Sequence, residues 1–162
     1  MTDVAIIMGS SSDREVVVAA CELLDELAVT WRLDVASAHR TPAKVNKIVD
    51  EAEAEGAKLF ICAAGHAAHL AGIVAGRSLK PVIGIPVASS DLAGVDALYS
   101  TVMMPPGVPV AAMAIGRSGA KNAAVLAAQI LALGDPALAR RLANWRERMG
   151  EAVLAAATER NV

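Results

Sequence analysis

A group of small polar residues follows the first apolar run of the chain and has the composition of a phosphate site. Residues 9–13 (Gly-Ser-Ser-Ser-Asp) separate the apolar residues 4–8 from an amphipathic segment. Backbone N–H groups at a helix start bind phosphate, and serine hydroxyls add donors. Ordinary capping is the alternative, but three successive serines exceed what a cap requires. We therefore predict that Ser10, Ser12 and Asp13 bind a phosphorylated sugar, with Asp13 accepting from ribose hydroxyls. The segment is not a P-loop, because no Gly-Lys-Ser/Thr follows.

A second polar segment, residues 37–42 (Ser-Ala-His-Arg-Thr-Pro), follows the next β-branched run. Thr41 and Pro42 are explained as the N-cap and the first residue of a helix. A helix start does not explain the presence of His39 and Arg40. An imidazole titrates near neutral pH and suits general acid–base work, and a guanidinium binds phosphate through two parallel hydrogen bonds. We predict these two roles, with a solvated surface loop as the alternative.

A third segment, residues 63–70 (Ala-Ala-Gly-His-Ala-Ala-His-Leu), is built mostly from small residues. Such residues let the backbone approach a ligand closely, as at Gly65. His66 and His69 follow Cys62, so a zinc site is conceivable, but the spacing differs from the common ligand patterns. The favoured interpretation is a pocket wall with one histidine as a polar contact.

The elements that must position these segments alternate between strand and helix. Strands are predicted at residues 4–8, 30–36, 58–63, 81–86 and 109–115. Amphipathic or alanine-rich segments between them predict helices, with short ones within 65–77 and 91–101 and a helix at 119–133 buried on most sides. This order predicts an α/β fold, a three-layer αβα sandwich with a parallel five-stranded sheet, in one domain spanning 1–162. In such a sheet the polar segments lie side by side at the carboxyl ends of the strands.

The final helix, from about residue 136 to 157, predicts self-association. Its apolar stripe is longer than a small domain needs, so we expect a homo-oligomer; the stripe comprises Leu138, Leu142, Trp145, Met149 and Val153. Arginines on the same helix are interleaved with Glu147 and Glu151, which favours a solvated or interfacial face over a nucleic-acid patch.

Composition excludes several classes of protein. The chain has 162 residues and a net charge of −2, which predicts no general attraction to nucleic acid or to an anionic membrane. Cys21 and Cys62 are interpreted as small buried residues with no disulfide. The amino terminus lacks the basic region of a signal peptide, and no apolar stretch is long enough to span a bilayer. We expect a cytoplasmic protein.

Nearly the whole chain resembles the PurE family, the N5-carboxyaminoimidazole ribonucleotide mutases of purine biosynthesis. The matching segments occur in order at residues 10–13, 37–42, 67–70, 81–87, 104–115 and 120–131. The resemblance implies a flavodoxin-like sandwich, usually assembled as an octamer, with no metal or organic cofactor. It implies conversion of N5-carboxyaminoimidazole ribonucleotide to the 4-carboxy isomer, with a small-molecule ribonucleotide as the partner.

The resemblance also implies roles for individual residues. Ser10, Asp13 and Arg40 would hold the ribose phosphate, and His39 would transfer protons. The group around the carboxylate and the imidazole would comprise Ser37, His39, Gly65 and His69, and the predicted binding set also includes Ser12 and Leu70. In the implied mechanism a histidine protonates the carbamate nitrogen, carbon dioxide is released and trapped, C4 attacks it, and the histidine accepts the C4 proton.

The chain departs from the common family pattern at four positions. Arg14 replaces a frequent tryptophan, His66 the commonest glycine, Ala71 a usual proline and Met103 a usual glutamine. His66 matters most, because it adds a titratable ring beside the implied carbon dioxide pocket; we predict that it tunes the pocket without catalysing.

Three alternatives remain open. Animal-type carboxylases, which use free carbon dioxide, carry arginine, serine and asparagine after the glycine, whereas this chain has residues 67–70 as Ala-Ala-His-Leu, which favours the mutase. A non-catalytic flavin-binding or receiver module would need aromatic residues in the loops, or an aspartate near Cys62. A purely structural assembly protein would leave His39 and Arg40 without a task.

Overall fold

Among residues 2–158, five short segments form one parallel sheet, and six helices cover its two faces. The computed structural model describes residues 2–158. The strands are β1 (Val4–Met8), β2 (Trp31–Val35), β3 (Leu59–Gly65), β4 (Val82–Val87) and β5 (Ala111–Ala112). The helices are α1 (Arg14–Glu26), α2 (Pro42–Ala54), α3 (Leu70–Arg77), α4 (Val95–Val102), α5 (Arg117–Ala132) and α6 (Pro136–Thr158), and a short 3-10 turn (Ser11–Asp13) precedes α1.

The strand order is β2-β1-β3-β4-β5, and every neighbouring pair is parallel. Strand β1 is buried along its whole length, as expected for a strand covered on both faces. Its side chains alternate between the two faces, so that Ile6 contributes to one core and Ile7 to the other. The expected three-layer αβα sandwich with a flavodoxin-like strand order and a long final helix is confirmed.

One face of the sheet carries α1, α5 and α6, and the other carries α2, α3 and α4. Alanines let α5 lie close to α1, since a methyl group takes little space; those that are fully buried are Ala120, Ala123, Ala124, Ala127 and Ala128. They recur at helical spacing and form a single stripe, while Lys121 and Asn122 are exposed. Eleven of the sixteen residues of α5 are buried or partly buried, so the expectation that this helix is buried on most sides is confirmed apart from its exposed polar face.

Strands β3 and β5 differ most from those that the sequence predicts, while the bounds of the other strands agree to within one residue. Strand β5 contains only two residues and pairs with β4 alone, whereas the other edge strand, β2, pairs with β1 over five residues. Beyond Ala112 the chain stays attached through single bonds, from the Met113 N–H to the Gly84 carbonyl and from the Gly116 N–H to the Pro86 carbonyl. Strand β3 runs two residues further than expected, so Gly65 pairs with Val87 at the end of the strand and not in the loop after it.

The apolar stripe of α6 becomes exposed along its length. Leu138 is buried, Leu142 and Trp145 are half-buried, and Met149 and Val153 are 50 % and 68 % exposed.

Within residues 2–158, no helix is long and apolar enough to cross a membrane.

Candidate active site

The carboxyl ends of four neighbouring strands open into one cavity of about 600 Å³. Strand β2 lies on one side of β1 and β3 lies on the other, so the strand order reverses at β1. The cavity lies at this reversal, which is where parallel sheets of this order bind ligands. All ten residues that the sequence predicts for the site line it: Ser10, Ser12, Asp13, Ser37, His39, Arg40, Gly65, His66, His69 and Leu70. The other lining residues are Gly9, Ala38, Ala64, Ala67 and Ser89.

The connection after β1 is folded by its own side chains. The Ser10 hydroxyl oxygen accepts hydrogen bonds from the backbone N–H of Ser12 at 3.3 Å and from the Ser12 hydroxyl at 2.8 Å. The Asp13 carboxylate accepts from the Ser10 N–H at 3.0 Å, which completes a capping box. Asp13 is only 4 % exposed, and burial raises its pKa, although the Ser10 N–H and the charges of Arg40 and His66 oppose that rise. The capping box thus explains why an aspartate is present at position 13 and where one of its oxygens is bound. Ser12 remains exposed at the cavity.

The connection after β2 is closed by Thr41 and Ser37. Helix α2 begins at Pro42 as predicted, but the Thr41 side chain does not cap it. The Thr41 hydroxyl instead accepts from the Ser37 N–H at 2.9 Å and donates to the Ser37 carbonyl at 3.2 Å. The Ser37 hydroxyl oxygen accepts from the N–H and the Nε–H of Arg40 at 3.2 and 3.4 Å. These bonds fix the turn that presents His39 and Arg40 to the cavity.

Two histidines from separate connections meet in the cavity. His39 Nε2 lies 2.8 Å from His69 Nδ1, and the rings meet edge to face with centroids 4.8 Å apart. In a hydrogen bond between two imidazoles one nitrogen donates and the other accepts, so a single proton lies between the rings. The pair therefore places a proton donor beside a proton acceptor, which is the arrangement that reversible proton transfer to a ligand requires.

The connection after β3 contacts the connection after β4 through a serine that the sequence analysis missed. Ser89 Oγ lies 2.9 Å from His66 Nδ1. Gly65 makes this approach possible, because a Cβ at that position would lie 1.7 Å from Ser89 Oγ. Ser89 comes two residues after the carboxyl end of β4, so the rule that identified the other loops could have identified it too.

A metal centre gains no support. Cys62 is buried within β3, and among residues 2–158 no three or more His, Cys, Asp or Glu side chains are grouped so as to hold a metal ion.

Known proteins resemble this chain over almost its full length. The sequence model of the AIR carboxylase family matches residues 3–152. The N5-carboxyaminoimidazole ribonucleotide mutases of Haemophilus influenzae and Bacillus subtilis are each 50 % identical over 151 residues, which is 93 % of this chain and 92 % and 93 % of theirs. The mutase of Thermotoga maritima is 47 % identical over 95 % of this chain and 89 % of its own. The crystal structure of Treponema denticola PurE superposes with a TM-score of 0.89 at 31 % identity and covers both chains completely. The match in sequence and in fold places this chain in the AIR carboxylase family.

Proposed function

We propose that this protein is an isomerase that converts N5-carboxyaminoimidazole ribonucleotide to 4-carboxy-5-aminoimidazole ribonucleotide in purine biosynthesis. The observation that carries the proposal is the 2.8 Å contact between His39 and His69 inside a cavity that also holds serine hydroxyls and a guanidinium. Relatives that are about half identical carry this activity in their names.

The ribose phosphate is held at the end of the cavity formed by the connections after β1 and β2. Ser10 and Ser12 supply hydroxyls, and Arg40 supplies a guanidinium that suits the oxygens of a phosphate. Asp13 accepts from the ribose hydroxyls at its unshared oxygen. Ser37 contributes by holding Arg40 in place through its hydroxyl.

The aminoimidazole ring lies beside His39, which acts as both acid and base. Protonated His39 gives its proton to the carbamate nitrogen, the C–N bond breaks with its electrons on nitrogen, and carbon dioxide is released. The electron-rich C4 then attacks carbon dioxide and forms the new C–C bond. Neutral His39 removes the C4 proton, which restores the aromatic ring and returns His39 to its starting state. His69 shares the proton with His39 between turnovers, while Gly65 and Leu70 form the small, apolar wall that keeps carbon dioxide in place.

The alternatives receive less support. Carboxylases that use free carbon dioxide have a different sequence at the segment that is Ala67-Ala68-His69-Leu70 in this chain, which disfavours that class. The half-identical relatives are named mutases. A flavin would need aromatic side chains for stacking, and the described residues that line the cavity include no tryptophan, tyrosine or phenylalanine.

The proposal includes assembly into a homo-oligomer, as an octamer. Met149 and Val153 continue the stripe that Leu138 begins, and their exposure leaves an apolar face that a second copy of the chain would cover. It also includes a cytoplasmic location, since phosphorylated intermediates of nucleotide synthesis are made and consumed inside the cell. Sedimentation of the purified protein and fractionation of cells test these two statements.

The decisive experiment supplies N5-carboxyaminoimidazole ribonucleotide, or aminoimidazole ribonucleotide with carbon dioxide, to the wild type and to His39→Asn. We expect the wild type to use the carbamate, and His39→Asn to lose about 10²- to 10⁴-fold in kcat, the usual contribution of a general acid–base group. Binding of the product nucleotide should persist in the variant. Near-normal turnover by His39→Asn would remove His39 from the mechanism, and faster reaction with free carbon dioxide would favour the carboxylase.

A further inference from the structure

His66 has a left-handed backbone conformation, which is unusual for a residue other than glycine. Its φ is +52°, in the left-handed region where a residue with a Cβ is strained and glycine is not. Ala28 and Ala93 share this conformation, but neither has a polar side chain and neither lines the cavity. His66 lines the cavity and is exposed there. A strained residue inside a ligand cavity indicates that its side chain has a function there.

Ser89 determines which ring nitrogen of His66 is available. Nδ1 is occupied by the Ser89 hydroxyl at 2.9 Å, so Nε2 is the nitrogen left for a ligand. When the hydroxyl donates to Nδ1, the neutral ring carries its proton on Nε2; when the ring is charged, Nδ1 donates to the hydroxyl oxygen and Nε2 still carries a proton. In both of these states Nε2–H is a hydrogen-bond donor, which suits an anionic oxygen. A neutral ring with its proton on Nδ1 would leave Nε2 without a proton, and binding of an anion at Nε2 selects against that tautomer.

The surroundings of His66 favour a cationic or donor group. Its charge acts on the carboxyls of Asp13 and Asp96, so the ring lies within electrostatic reach of both. In Asp13 this charge opposes the rise in pKa that burial causes, and in Asp96 it adds to the lowering of the pKa by the Ser90 hydroxyl. An anionic ligand entering here would meet two like charges, and His66 is the group placed to offset them.

We propose that His66, held by Ser89, binds the carboxylate that the reaction transfers. The inference rests on the proposed function and deepens it. His66 lies on the connection after β3, three residues before His69, which contacts His39. The carboxylate leaves the amino nitrogen on C5 and arrives at the adjacent C4, so one donor beside this pair can contact it before and after transfer. Ser10, Ser12 and Arg40, on other connections, serve the phosphate. Ser89 is a positioning residue, because it acts through His66.

The test compares two nucleotides that differ by one carboxylate, 4-carboxy-5-aminoimidazole ribonucleotide and 5-aminoimidazole ribonucleotide. Their dissociation constants are measured by calorimetry for the wild type, His66→Gly, Ser89→Ala and the control Ser78→Ala, whose hydroxyl accepts from the Lys80 N–H at 3.0 Å and does not line the cavity. We expect His66→Gly to weaken binding of the carboxylated nucleotide about 10-fold or more, the effect of losing a hydrogen bond to a charged group. Binding of 5-aminoimidazole ribonucleotide should stay unchanged.

Ser89→Ala should shift the same constant in the same direction by less, and Ser78→Ala should leave both constants unchanged. His66→Gly should unfold at the wild-type temperature or above it, because glycine relieves the left-handed strain. Equal weakening of both nucleotides, or no weakening of either, would overturn the inference while leaving the proposed function intact. Failure of the wild type to bind either nucleotide would instead refute the proposed function. If His66→Gly does not fold, the contrast between Ser89→Ala and Ser78→Ala decides.

Discussion

Helix α4 packs tightly against β4 at Gly84, and Gly84→Ala should destabilise the fold. A Cβ there would lie 2.3 Å from Thr101 Cγ2 and 3.0 Å from Val110 Cγ1. Thr101 is only 2 % exposed, and its hydroxyl donates to the Ala97 carbonyl at 2.7 Å. The Thr101 methyl group therefore cannot turn away unless a buried hydrogen bond breaks.

The size of the effect follows from these distances. Carbon atoms pack at about 3.5–4.0 Å, so the new methyl group would be more than about 1 Å too close to Thr101. Relief requires either that α4 moves away from β4 or that Thr101 changes its rotamer. Overpacking of this kind lowers the free energy of unfolding by about 1–3 kcal/mol, and we expect the same here.

Urea denaturation at one fixed protein concentration measures the loss, and a double-mutant cycle identifies its source. Thr101→Ser removes the methyl group and keeps the hydroxyl, so Gly84→Ala combined with Thr101→Ser should be destabilised by less than the sum of the single changes. Gly76→Ala is the control, because an added Cβ in α3 meets nothing within 4 Å. It should raise the free energy of unfolding by up to about 1 kcal/mol. Wild-type stability of Gly84→Ala, or additive effects in the double variant, would show that α4 does not pack on β4 as described.

Two further predictions concern titratable groups in the interior. Burial raises the pKa of Asp13, so the folded state favours its neutral form; the resulting stabilisation is complete below the unfolded pKa and is lost as pH rises through the higher folded pKa. Asp13→Asn keeps an oxygen for the Ser10 N–H, so its free energy of unfolding at pH 7 should equal or exceed that of the wild type, and the difference should shrink on acidification; a widening difference would contradict this. Burial also raises the pKa of the Cys62 thiol, and that of Cys21 to about 11. Both thiols should therefore resist iodoacetamide at pH 8 until urea unfolds the protein, and rapid labelling of the native protein would be evidence against their burial.

The sequence predicts the sheet well because its central strands are continuous apolar runs. The residues of β1 have no amphipathic alternative, and Gly9 follows them directly. Strand β5 is predicted poorly, because an apolar, extended composition does not show that only Ala111 and Ala112 pair with β4. The other edge strand, β2, is predicted to within one residue at each end. The cavity follows from topology, because loops at the carboxyl ends of neighbouring parallel strands converge without any detail of side-chain geometry.

Contacts between side chains of different loops could not be predicted in the same way. His39 and His69 are separated by 30 residues, and their contact depends on the exact angle of two turns. Thr41 illustrates a local failure: its residue type suits a helix cap, yet two bonds to the Ser37 backbone compete for the same hydroxyl. Ser89 was missed because a serine pair after a strand also suits an ordinary turn.

The exposed end of α6 has a practical consequence for anyone who handles this protein in dilute solution. Water next to Met149 and Val153 is unfavourable, so if the proposed oligomer forms, dilution that separates its protomers should lower their stability relative to the same chains at high concentration. At nanomolar enzyme concentration the activity per enzyme molecule would then be lower and would decline during the assay. It would recover when more protein is added. Kinetic constants for this enzyme should accordingly be determined over a range of protein concentrations before variants are ranked.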